Sequence, residues 1–195
     1  MDKIVATQMI GGNPSGKRSE TDFYPTPSEV TTALLRVLDL PKNTVIWEPA
    51  CGEMDMVSAM QSAGYSVVAT DIVYGQDFLT EPLPECDWII TNPPFSVSEK
   101  FIERCAEHGK PFALLLKSQY WHSQRRYGLF QKIRPVYVMP LTWRPDFLFK
   151  KPGKRSAPLM DVQWCVWVPP YNQNTVFVPL ARDSKGSISA IEVLV

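Results

Sequence analysis

Apolar residues recur along this chain with two spacings. From Ser28 they fall at Val30, Leu34, Leu35 and Leu38, one face of a helix, and the run stops before Pro41. Met54–Ala63 repeats the helical spacing, and Gly64 is suited to close it. Val97–His108, with Val97, Phe101, Ile102 and Cys105, and Trp121–Ile133 predict two more helices. Short runs lie between them: Thr44–Trp47, Ser66–Thr70, Asp87–Thr91, Pro111–Leu116, Val136–Met139 and Val162–Val168, then Ile188–Val195 near the end. Continuously apolar runs such as Pro111–Leu116 suit strands buried on both faces. Such strands alternating with helices predict an α/β, doubly wound, mostly parallel sheet with helices on both sides. A ligand then sits beyond the carboxyl ends of the strands, where their order reverses. Residues 1–20 are polar and include Gly11-Gly12-Asn13-Pro14-Ser15-Gly16, so a flexible arm is expected ahead of one domain over 21–195.

Composition narrows this picture only a little. The chain has 195 residues, 45% hydrophobic and 21% charged, which suits one soluble domain. Its apolar runs are too short to cross a bilayer and it opens without an apolar signal segment, so a cytoplasmic protein is expected. Cys51, Cys86, Cys105 and Cys165 are scattered, and His108 and His122 lie far apart; reduced core thiols and no metal site are expected. Charge changes the picture more. The net charge is zero, yet Lys117–Arg155 holds ten basic residues against one acid, Asp146. Such segregation makes a dipolar molecule with one basic flank, which suits either phosphate groups or a solvated face.

Candidate chemistry follows the strands. Glu48-Pro49-Ala50-Cys51-Gly52-Glu53 comes directly after the first predicted strand. An acid and a tight glycine turn leading into a helix suit a nucleoside cofactor, the acid being able to pair with an ammonium group. Asp71 ends the second strand, 23 positions beyond Glu48, where a carboxylate can bind ribose hydroxyls or simply cap a turn. Asp77-Phe78 then offers an acceptor for an adenine amine and a ring to stack on it. The decisive segment is Thr91-Asn92-Pro93-Pro94-Phe95. Two prolines cannot continue a central strand, so they stiffen the chain where it leaves the sheet. The Asn92 side-chain oxygen and the Pro93 carbonyl can accept the two N–H bonds of a planar amine and turn its lone pair toward an electrophilic methyl, with Phe95 stacked on the base. A rigid turn before a helix would use the same residues.

These motifs resemble the class I methyltransferases, in particular the N6-adenine DNA methyltransferases with an Asn-Pro-Pro-aromatic motif, small phage and prophage enzymes most of all. The resemblance covers roughly residues 22 to 168 and includes Asp22-Phe23-Tyr24-Pro25-Thr26-Pro27, similar to the family's N-terminal cofactor motif. It implies a Rossmann-like sheet of seven strands, S-adenosylmethionine as cofactor and DNA as partner, as in restriction–modification. Tyr24 and Thr26 would hold the methionine end of the cofactor. Glu48, Ala50 and Gly52 would line its turn, Asp71 the ribose, and Asp77 with Phe78 the adenine. Asn92, Pro93, Pro94 and Phe95 would form the catalytic group. One position departs from the family, Met54 standing where a second glycine is usual; a side chain there can crowd the cofactor.

The motif order resembles the gamma-type arrangement, with no recognition domain between Asp71 and Asn92. DNA contact would then fall to Lys117, Trp121, Arg125, Arg126, Arg144, Phe147, Lys150, Lys151, Lys154 and Arg155, a mixture of rings and cations suited to phosphate clamping and stacking. A base must leave the duplex to be modified, and Phe95 and Phe147 are the candidates to hold it. So small a reading surface predicts a short or relaxed recognition sequence. No cysteine follows a proline, which excludes a C5-cytosine enzyme of the usual kind, and Asn92 argues against N4-cytosine chemistry. The alternatives are another planar amine, a ribosomal RNA guanine N2 or a protein glutamine, and a nucleic-acid-binding module without catalysis.

Overall fold

Strand β1 (Val45–Glu48) pairs in parallel with β2 (Ser66–Ala69) on one side and β3 (Trp88–Thr91) on the other. A computed structural model, which describes residues 24–147, 149 and 160–182, continues the sheet through β4 (Phe112–Lys117), β6 (Val162–Trp167), β5 (Tyr137–Pro140) and β7 (Val176–Phe177). The order is β2-β1-β3-β4-β6-β5-β7, and only β6 runs against its neighbours. The expected mostly parallel, seven-stranded sheet is present. Its seventh strand is Val176–Phe177, a pair without a sequence signal of its own. The flexible arm and the run Ile188–Val195 lie outside the described residues.

Alternation along the strands divides the core between two faces. Ile46, Ile90, Leu115 and Trp164 point one way, onto α1 (Ser28–Leu38) and α2 (Asp55–Ser62). Trp47, Ile89, Leu114 and Cys165 point the other, onto α3 (Ser98–His108), with Leu129 and Phe130 of α4 (Tyr127–Lys132) at the margin. Burial on both faces explains why β3 and β4 read as unbroken apolar runs. Across the first face Trp164 Nε1 donates to the Val30 carbonyl at 3.0 Å, fastening α1 to β6.

Three predicted helices hold to within a residue or two, but Trp121–Ile133 does not form as one. Two 3-10 turns, Ser118–Trp121 and Gln124–Arg126, precede the six-residue α4. The Trp121 ring packs on Phe130 at 4.8 Å, and Arg126 donates to the Tyr120 carbonyl. These tertiary contacts override a weak local preference for helix.

Met54 precedes α2 with φ 67° and ψ 17°, in the left-handed region. A side chain there costs about 1–2 kcal/mol, and glycine avoids most of it at a smaller entropic cost. Met54→Gly is therefore expected to stabilise the fold by about 0.5–1 kcal/mol and to raise the thermal midpoint by about 1–4 °C. A midpoint that stays put or falls would show that the surroundings already compensate for the strained backbone.

Candidate active site

The crevice opens beyond β1, β2 and β3, where strand order reverses. After β1 the chain turns through Pro49–Glu53, and the turn is tied to the neighbouring strand end. Cys51 N donates to the Thr70 carbonyl, and Gly52 N to Asp71 Oδ2 at 2.8 Å. Gly52 has φ 48°, a geometry open to glycine without penalty. Asp71 Oδ1 accepts from Val73 N at 2.9 Å, capping the 3-10 turn Ile72–Tyr74. Asp71 thus serves as a turn cap and also borders the cavity; each oxygen keeps a second acceptor site.

Glu48 lines the same wall but is fully buried. Its Oε1 accepts from Ala50 N at 3.0 Å, so it braces the turn from behind. Direct pairing with a ligand's ammonium group, expected from the sequence, does not fit a carboxyl without exposed surface. Burial pushes that carboxyl from its ordinary 4.5 up to about 8; the Thr91 hydroxyl and the Ala50 amide oppose the shift, and Asp71 adds to it. Oε2 and Thr91 Oγ1 nonetheless have no partner at normal hydrogen-bond geometry. Its own burial, with Glu48 and Asp71 nearby, lifts the Cys51 thiol to about 11, which disfavours the thiolate.

Beyond β3, Asn92 is oriented from a distant part of the chain. Its Nδ2 donates to the Tyr24 carbonyl at 3.2 Å and to Thr26 Oγ1 at 3.0 Å. Both amide protons are thereby used, and Oδ1 is left as an acceptor. Pro93 and Pro94 continue the wall, while Phe95 is not part of the lining. The Phe95 ring lies 5.8 Å from that of Tyr24 and 4.5 Å from Lys117 Nζ.

A cavity of about 660 Å³ gathers Tyr24, Thr26, Glu48, Ala50, Gly52, Asp71, Asp77, Phe78, Asn92, Pro93 and Pro94 from four stretches of sequence. Its volume suits a nucleoside with an amino-acid tail. Asp77 Oδ1 accepts from Leu79 N. Phe78 has only its margin at the wall, because Trp47, Phe101 and His108 enclose the ring. It therefore offers no free face for stacking. Met54 is absent from the lining and about one-third exposed, so its side chain does not crowd the cavity as the sequence suggested. Sequence reasoning missed Ile72, Val73 and Tyr74, which are exposed apolar side chains at the mouth; Tyr74 OH donates to the Gly52 carbonyl at 3.0 Å. Apolar residues directly after Asp71 were the signal.

The basic segment is less free than its composition implied. Arg144 pairs with Asp161 at 2.7 Å. Arg125 and Arg126 both pair with Glu99. Trp121 packs into an aromatic cluster with Tyr120 and Phe130. Phe147, expected to hold a base, is buried in the core edge-on to Tyr24 and presents no open face. Lys150, Lys151, Lys154 and Arg155 lie outside the described residues, and among those described no cluster of metal-ligating side chains occurs.

Superposition on solved structures gives these features a common setting. A Listeria monocytogenes protein, provisionally described as a class I S-adenosylmethionine-dependent methyltransferase, matches 85% of this chain and 68% of its own with a TM-score of 0.56 and 15% identity. The fold is that of the class I methyltransferases. A protein from Pyrococcus horikoshii provisionally described as an RNA methyltransferase matches 86% of this chain and all of its own (TM-score 0.59, 12% identity). The M protein of the type I restriction enzyme EcoKI matches 83% (TM-score 0.52, 13% identity), and this chain spans 49% of its length. No protein-family model and no curated protein sequence matches the chain.

The buried carboxyl gives this methyltransferase fold a pH signature. Because Glu48 titrates near 8 when folded and near 4.5 otherwise, its contribution to stability is fully present below 4.5 and is lost as pH rises through 8. Each unit in that window removes about 1.4 kcal/mol at most. Glu48→Gln lacks this loss, so its thermal midpoint should gain on the parent protein between pH 5 and pH 9. A constant difference across that range would show that Glu48 titrates normally.

Proposed function

We infer that this protein transfers a methyl group from S-adenosylmethionine to the N6 amine of adenine in DNA, on a base turned out of the helix, with a short or relaxed recognition sequence. The observation that carries the reading is the Asn92 carboxamide, whose two N–H bonds are taken by Tyr24 and Thr26 so that its oxygen accepts. An amine can be methylated only when its lone pair is withdrawn from the ring. Asn92 Oδ1 and the Pro93 carbonyl accept its two N–H bonds and favour that geometry. The double proline keeps both acceptors from drifting. Phe95 stacks on the base, and Lys117 beneath the ring strengthens the platform.

The cavity's size and composition fit the cofactor. The turn Ala50–Gly52, Asp71 and Asp77 would hold it, and Glu48 would brace that turn. When bound, S-adenosylmethionine supplies a methyl carbon made electrophilic by a sulfonium. DNA as the partner is supported by the Asn-Pro-Pro-Phe motif, by the basic segment from Lys117 onward, and by the fold shared with a restriction-enzyme M protein.

The test is methyl transfer from labelled cofactor to unmethylated duplex DNA, single-stranded DNA, RNA and protein, with mass spectrometry of the digested products. N6-methyldeoxyadenosine is expected. Label in RNA guanine or protein glutamine would keep the site and overturn the substrate; no transfer and no cofactor binding would favour a binding module. Asn92→Ala should lower turnover by about 10²–10³-fold while cofactor affinity changes by less than about threefold. Asp71→Ala should weaken cofactor binding first. Equal loss of binding and turnover in Asn92→Ala would overturn the role given to Asn92.

A further inference from the structure

Glu99 stands in the first turn of α3, four positions beyond Phe95, and drew no notice in the sequence. Its Oε1 accepts from Nε of Arg126 at 2.9 Å and also from Arg125. The two arginines are adjacent but differently placed. Arg126 is 21% exposed, its guanidinium lies 4.1 Å from the Tyr120 ring centre, and Nη1 donates to the Tyr120 carbonyl at 3.0 Å. Arg125 is 75% exposed, and Glu99 is its only ion-pair partner among the described residues.

We propose that Glu99 divides this pair into a strut and a clamp: Arg126 positions the segment 118–127 against the catalytic motif, while Arg125 exchanges Glu99 for a backbone phosphate of the bound strand. Partial burial alone would raise the Glu99 carboxyl, but the two guanidiniums outweigh it and hold it below the ordinary carboxylate range. An exposed ion pair is weak, and a guanidinium gains a bidentate partner by moving to phosphate. When Arg125 leaves, Arg126 still neutralises Glu99, so no carboxylate is stranded beside the strand. Arg126, about four-fifths enclosed and held by two hydrogen bonds and the Tyr120 ring, has no comparable freedom. The segment it fastens follows directly on Lys117, whose ammonium lies against the Phe95 ring, so the strut also fixes the floor beneath the base. The sequence alone treats Arg125 and Arg126 as equal phosphate contacts; the structure gives them opposite duties.

The inference rests on the nucleic-acid reading above, and binding of a fluorescent unmethylated duplex at several salt concentrations separates the two. Absence of wild-type binding would overturn both. With binding present, Arg125→Ala should lower the slope of log affinity against log salt by about 0.9, the release of one counterion. Arg126→Ala should leave that slope unchanged while lowering the thermal midpoint and turnover. Glu99→Gln should tighten binding about three- to tenfold by removing the competing anion, and the gain should vanish when combined with Arg125→Ala. Arg125 lies at the surface, so Arg125→Ala keeps the test open should Glu99→Gln fold poorly. Equal slope losses for Arg125→Ala and Arg126→Ala would overturn the division, as would weaker binding by a folded Glu99→Gln protein.

Discussion

Strand β1 has parallel neighbours on both sides, so the chain must cross over in opposite directions to reach β2 and β3. No single loop can then cover the carboxyl ends of the three strands, and a crevice remains. The backbone groups released there still need partners. Thr70 N bonds to the Glu48 carbonyl, Cys51 N to the Thr70 carbonyl, and Asp71 takes the amides of Gly52 and Val73. The strand ends thus satisfy one another sideways and leave the space above them open. Every other feature of the site is arranged around that opening.

The orientation of Asn92 depends on this frame and on a segment far away in sequence. Asn92 leaves β3 beside the crevice, but its carboxamide is turned by Tyr24 and Thr26, just ahead of α1. Helix α1 is in turn fastened to β6 through Trp164 and Val30, across the first face of the sheet. The orientation of one amide is therefore a property of the whole packed face, and loosening α1 would reach Asn92 without touching it.

Electrostatics followed a similar course. Along the sequence the cations of Lys117–Arg155 are segregated from acids, but folding returns Glu99 to Arg125 and Arg126, and Asp161 to Arg144. Three arginines of that run become paired side chains whose exposure differs, from three-quarters at Arg125 to about one-fifth at Arg126. What remains available to a polyanion is decided by which pairs water and ligand can reach.

The sequence by itself determined the class of fold and the order of its parts. Unbroken apolar runs such as Phe112–Leu116 suit strands covered on both sides, and the helical spacing in Val97–His108 suits a helix with one face to bury on such a sheet. It also set which residues stand at each strand end, because Gly52, Asp71 and the Asn-Pro-Pro-Phe run follow directly on β1, β2 and β3. Tertiary structure decided everything that depends on contact across the fold. Phe78 and Phe147 read as stacking rings but are enclosed in the core, Glu48 reads as a ligand for a cation but braces a turn from within, and Trp121–Ile133 reads as one helix but is broken by Trp121 and Arg126. Burial and pairing arise between residues distant in sequence, and a pattern of local spacing holds no record of them.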